Sequence, residues 1–238
     1  MRKILMVGML ASASFGGAAT LPELFSSSPA RLADACDRGY RIESMPRVTQ
    51  AEKDAYSAES VKANKGNYLR DSRTFLGKDA DSVARLKAMV NSIDLQTPSG
   101  SAFNICGARA EKLAAKPTPE VLSAAASTLV YIKGEALERK SAENWNAVII
   151  ALDSSGTELA RFESTGPSKK GDLSSWKPSC TSAGCKWVGQ NIYYFKLNTL
   201  SPQTTKLKLM FTRGNGVEQR EYTAEDVEKV ILTDPKTP

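Results

Sequence analysis

Apolar residues recur at helical intervals through the first half of the chain and at alternate positions through the second. Val83, Leu86, Val90 and Ile93 form a stripe spaced by three and four residues, and Asp79 and Asp81 stand at its start, where a helix dipole favours negative charge. Thr49 followed by Glu52 has the spacing of a capping box just after Pro46, and Thr118, Pro119 and Glu120 form a third helix start. These signals predict helices over 50–64, 79–94 and 118–126. The stretch from Gln96 to Ala102, with Pro98 and Gly100, reads as a loop.

Beyond Ser127 the period becomes two. Leu129 to Leu137, Ala147 to Asp153, Leu159 to Ser164, Asn191 to Leu197 and Lys206 to Thr212 are short runs rich in Val, Ile, Tyr, Phe and Thr, which predict strands. Asp153-Ser154-Ser155-Gly156 and Arg213-Gly214-Asn215-Gly216 supply turn chemistry between them. Thr223 to Asp226 reads as a helix start, while Val227, Val230, Ile231 and Leu232 leave a closing strand as the alternative. The expected fold class is α+β, with a helical region over 20–126 followed by an antiparallel β-sandwich over 127–238, immunoglobulin-like by analogy of fold alone.

The first nineteen residues read as a cleaved secretory signal: Arg2 and Lys3, an apolar run from Ile4 to Leu10, then small residues through Ala18 and Ala19. Ser12, Ser14, Gly16 and Gly17 interrupt that run short of the roughly 20 apolar residues a membrane span needs, and no other stretch approaches that length. The mature chain is therefore expected to carry no transmembrane segment and to be secreted or periplasmic. Export into an oxidising compartment gives the cysteines a disulfide reading. Cys180 and Cys185 enclose four residues and are expected to pair, leaving Cys36 with Cys106. A zinc site of four cysteines would need two close-spaced pairs, and only one is present, so no metal is expected.

The chain of 238 residues is 41% hydrophobic and 24% charged, which suits one ordinary domain or two small ones. It contains no histidine, which removes Ser-His-Asp and Cys-His nucleophile systems, His-ligated zinc and imidazole acid–base chemistry. No phosphate-binding loop, dinucleotide fingerprint, nucleophile elbow or calcium loop is present, and no cofactor is implied. Ser174-Ser175-Trp176-Lys177 matches S-x-x-K in form, but it lies in a polar stretch without the companion motifs and reads as a solvated loop. The carboxylate pairs Asp79 with Asp81 and Glu225 with Asp226 sit where helix first turns favour acids. Asp153 and Glu163 lie on different strands, where a spatial pairing stays open.

Charge is distributed unevenly. Between Arg161 and Arg213 nine basic residues face two acids, whereas Glu218 to Asp234 holds two basic residues against six acidic ones. Lys169, Lys170, Lys177, Lys206 and Lys208, with Trp176 and Trp187, are the candidate ligand-binding residues, cations set beside flat aromatic faces. Their ligand would be an anionic polysaccharide, a lipid head group or another polyanion. The competing reading is that Lys206 and Lys208 only solubilise the outer side of a strand whose Leu207, Leu209 and Phe211 face the core, and that the acidic tail neutralises the segment. The expectation is an exported, non-catalytic protein of the cell envelope or extracellular space that binds an anionic ligand or partner. Its alternatives are an exported hydrolase or lyase using carboxylate, Tyr or Lys chemistry, and a structural subunit of an envelope assembly. Oligomeric state is open.

Overall fold

The computed structural model describes residues 19–71, 88–138, 145–164, 176–182, 184–213 and 216–229. The signal segment, Asp79, Asp81, Lys169, Lys170, Ser174, Ser175 and the chain beyond 229 lie outside them. The fold class is α+β: helices accompany two sheets that are antiparallel throughout.

Two short or medium helices, α1 (Leu21–Leu24) and α2 (Pro29–Glu43), open the described chain, and α3 (Gln50–Asn64) follows. Pro29 starts α2 because its fixed φ suits a first helical residue and its missing N–H would have been unpaired there anyway. Leu32, Ala35, Cys36, Gly39 and Ile42 then recur on one buried face. The 50–64 helix occurs as expected, with the Thr49 hydroxyl accepting from the Glu52 N–H and the Glu52 carboxylate accepting from the Thr49 N–H at 2.6 Å.

The helix expected over 79–94 is corrected for its described part: strand β2 spans Ala88–Gln96, after a short β1 (Tyr68–Asp71). Val90 and Ile93 are three apart and both fully buried, which imitates helical spacing. The register explains it: Val90 opposes Gly134 and Ser92 opposes Lys133, so Asn91 is an extra, bulged residue. The bulge returns Ile93 to the core face, after which Leu95 alternates normally.

The expected loop from Gln96 is also corrected. Helix α4 (Pro98–Glu111) begins there, with Thr97 as N-cap, its hydroxyl accepting from the Gly100 N–H at 3.2 Å. Pro98 occupies the first helical position, and a Cβ on Gly100 would overlap the Asn67 carbonyl oxygen. Both residues thus serve a helix start pressed against the turn before β1. Helix α5 (Pro119–Ala125) follows, with Thr118 as its N-cap.

The remaining strands are β3 (Thr128–Ala136), β4 (Ala147–Leu152), β5 (Glu158–Glu163), β6 (Lys177–Thr181), β7 (Gly184–Phe195), β8 (Lys206–Arg213) and β9 (Gly216–Thr223), and a final helix α6 (Ala224–Glu228) closes the described chain. One sheet has the order β1-β2-β3-β7-β6 and the other β5-β4-β8-β9. The first sheet therefore crosses the 126/127 boundary. Thr223 opens α6 in a reciprocal cap with Asp226, so the helix reading of that segment holds.

Both sheets feed one apolar cluster, Ile93, Leu95, Val130, Ile132, Tyr193 and Phe195 from the first and Ile149, Ala151, Leu207, Leu209, Phe211 and Tyr222 from the second. A second cluster joins the helices through Leu32, Ala35, Ile42, Ala63, Phe103 and Leu122. The Cys36–Cys106 disulfide bridges α2 to α4 within it, and the Cys180–Cys185 disulfide links directly opposed residues of β6 and β7, so both expected pairings occur. Among the described residues no helix is long and apolar enough to cross a membrane.

Candidate functional site

Register fixes which side chains share the outer face of the first sheet, because directly opposed residues project to the same side. One row runs Tyr68, Gln96, Leu129, Tyr194, and the next Arg70, Asp94, Tyr131, Ile192. Further rows bring Ser92, Lys133 and Gln190 together, then Glu135, Val188 and Lys177, then Lys186 with Ser179.

Asp94 anchors this face. It is only 1% exposed, and its carboxylate accepts from the Arg70 Nε at 2.8 Å and Nη2 at 3.2 Å and pairs with the Lys133 Nζ at 2.5 Å. Burial alone would raise its pKa; hydrogen bonds from Arg70, Lys133 and Tyr68 outweigh that and hold it below the usual carboxylate range. Two cations thus share one acid. Arg70 also reaches the Tyr68 hydroxyl at 3.1 Å, Tyr131 donates to Gln96 Oε1 at 3.2 Å, and Lys186 pairs with Glu135 at 2.5 Å. The described charges on the face are Arg70, Lys133, Lys177 and Lys186 against Asp94 and Glu135, interleaved with Tyr68, Tyr131 and Tyr194. From the first strand to the last, the cations span four interstrand steps, roughly 19 Å.

The sequence-derived candidates separate. Lys177 is exposed on this face at the edge strand β6. Lys206 and Lys208 lie on β8 of the other sheet, 3.7 and 3.4 Å from Glu221 on β9. Trp176 is 3% exposed and belongs to the core: its indole N–H donates to Asn191 Oδ1 at 2.8 Å, and its ring meets Trp145 edge-on at 5.7 Å. Trp187 is partly buried against the same core. Neither tryptophan joins the tyrosines on the outer face. Arg70, Lys133, Tyr68 and Tyr131 lie outside the basic Arg161–Arg213 segment and join Lys186 and Tyr194 only through pairing across strands. Alternation within Thr128–Ala136 is the local signal that points to Tyr131 and Lys133.

The open carboxylate pairing does not form. Val148 opposes Glu163 and Leu152 opposes Glu158, which places Asp153 and Glu163 at opposite ends of the β4–β5 hairpin, roughly 16 Å apart at about 3.3 Å per residue. Asp153 instead accepts from the Ser155 and Thr157 N–H groups in the turn, and Asp226 caps α6. Every described group with a displaced pKa moves away from neutrality. Burial and then Asp94 raise Tyr68, burial raises Tyr131 and Tyr193, and burial followed by the Glu43 hydrogen bond pushes Tyr56 up to about 12. Glu52 and Asp153 are lowered by hydroxyl hydrogen bonds from Thr49 and Ser155. Proton transfer at neutral pH needs a group poised near that pH, and these shifts run the other way. No cluster of metal-ligating side chains occurs among the described residues. No family model, curated protein or solved structure matches the chain.

Proposed function

We propose that the chain is an exported, disulfide-braced, non-catalytic protein of the cell envelope or extracellular space whose two sheets pack as a sandwich and whose outer β1-β2-β3-β7-β6 face binds an anionic ligand. The observation that carries the reading is the excess of cations among the described residues of that face, with Lys133 held beside Arg70 at the Asp94 carboxylate and Lys177 exposed at the rim. Interleaved tyrosines give an anionic polymer flat apolar surface beside the charges. The shared apolar cluster supports the sandwich, and two disulfides in a chain with a secretory-type leader support export.

The test is salt-dependent retention on immobilised heparin. Each charge neutralised on binding releases counterions, so retention falls steeply with salt. Lys177→Ser with Lys186→Ser removes two charges from the proposed face, and Lys206→Ser with Lys208→Ser removes two from the other sheet. The first pair is expected to abolish retention and the second to leave most of it. Equal losses, or no wild-type retention at about 0.15 M salt, where exposed charges are screened beyond roughly 8 Å, overturn the proposal.

A further inference from the structure

The two disulfides sit in unlike surroundings. Cys36 and Cys106 are 2% and 0% exposed, shut into the apolar cluster between α2 and α4, whereas Cys180 and Cys185 are both exposed. Thiol–disulfide exchange needs a thiolate to reach a bridge sulfur, so access alone separates the two. A reductant in solution meets Cys180–Cys185 first.

That bridge also lies where little else holds the chain. Pairing of β7 with β3 ends at Trp187, opposite Ala136. Beyond it Lys186, Cys185 and Gly184 oppose only Ser179, Cys180 and Thr181 of β6, so the two strands overhang the sheet as a ribbon. All five residues of β6 are exposed, and no side chain of the strand is tied into the core. Trp176, bonded to Asn191 in the core, fixes the near end of β6, and the disulfide fixes the far end. A two-stranded ribbon without a packed face is marginal in water. With the bridge open, the far end is held by exposed ladder hydrogen bonds alone, the mark of a region that opens locally. The ribbon carries Lys177 and Lys186, two of the described cations of the outer face.

We propose that Cys180–Cys185 is a redox switch on the polyanion face, an inference that rests on the anion-binding reading of that face. Oxidised, the bridge holds Lys177 and Lys186 in one surface with Lys133; reduced by a dithiol, it lets the ribbon fray and anion binding weakens. One thiolate of the dithiol attacks a bridge sulfur and expels the other cysteine as a thiolate. The second sulfur of the dithiol then attacks the mixed disulfide and expels the first cysteine. The chain gains two electrons and two protons as a pair of thiols, and the reductant leaves as its own disulfide.

The experiment treats the mature, natively folded chain with dithiothreitol for increasing times, traps free thiols with N-ethylmaleimide and locates them by peptide mass. Cys180 and Cys185 are expected to label completely before Cys36 and Cys106 label detectably. An untrapped sample reduced to that stage is then compared with the oxidised chain for heparin affinity at fixed salt. Binding must reorder the frayed end, and fixing the backbone of one residue corresponds to about a tenfold loss of affinity. Reoxidation is expected to restore it. The double variant Cys180→Ser, Cys185→Ser is expected to bind like the reduced chain and to ignore dithiothreitol. Labelling of all four cysteines at one rate, or a reduced chain that binds as the oxidised one does, overturns the switch. An oxidised chain that does not bind heparin sinks the reading of the face, and the switch with it.

Discussion

Gly39 of α2 lies so close to Phe103 of α4 that a Cβ at residue 39 would overlap the Phe103 carbonyl oxygen. The two helices meet backbone to backbone at that point, one turn from the Cys36–Cys106 bridge, whose Cα atoms are 5.1 Å apart. A single added methyl must therefore move a helix, not a side chain. Gly39→Ala is expected to destabilise the fold by about 1–3 kcal/mol, the range for overpacking, measured by urea unfolding. A variant as stable as the wild type would show that the helices are not in contact there.

The disulfides should differ in worth. Cys36 and Cys106 are 70 residues apart and Cys180 and Cys185 only 5. Chain-entropy bookkeeping gives about 4 kcal/mol for the long loop and about 2 kcal/mol for the short one. The β6–β7 pairing already holds the short loop's ends together in the native state. Replacing both cysteines of each bridge by alanine, followed by chemical unfolding, is expected to cost more for Cys36 and Cys106; the reverse order refutes the assignment of weight.

Asp94 predicts a pH signature. Its folded pKa is lowered, so its stabilising effect is present above the unfolded value near 3.9 and is lost as pH falls through the folded value. Asp94→Asn leaves Arg70 and Lys133 facing each other without the shared acid, at an expected cost of about 2–4 kcal/mol near pH 7. The gap between wild type and variant should begin to narrow below about pH 4, where the unfolded chain takes up the proton, and close only as the folded carboxylate protonates at lower pH. A gap that stays constant down to pH 2 contradicts the ionised role.

The Asn91 bulge predicts an asymmetry between deletion and insertion. Deleting Asn91 restores plain alternation with Val90 and Ile93 still inward and Asp94 still outward. Inserting one alanine between Asp94 and Leu95 turns Leu95 outward and should unfold the sheet, since a one-residue slip exchanges the two faces. Thermal melts are expected to show a folded deletion variant and no cooperative transition for the insertion. A deletion as damaging as the insertion would mean that Asn91 is part of the regular ladder.

Surface candidates were the least legible part. Lys177, Lys206 and Lys208 look alike along the chain, yet Lys177 is exposed on β6 whereas the other two stand beside Glu221 on β9. Trp176, adjacent to Lys177 in sequence, points to the opposite side and is shut into the core by Asn191 and Trp145. Strand neighbours project to opposite faces, so closeness in sequence is a poor guide to sharing a site.

What the chain determined by itself is what short-range physics decides. The caps at Thr49, Thr118 and Thr223 act within three residues, the alternation of β3, β4 and β8 follows from the pleat, and the two cysteine pairs follow from loop length and the one close spacing. Tertiary structure decided the rest. Whether Val90 and Ile93 lie on a helix or on a bulged strand depends on Gly134 and Lys133 across the ladder. That Gly100 leaves room for a helix start against the Asn67 carbonyl, and does not mark a turn, depends on a contact 33 residues away in the chain. Which cations remain in excess depends on acids brought from other strands, since ion pairing and burial are set by distances in space that no stretch of sequence contains.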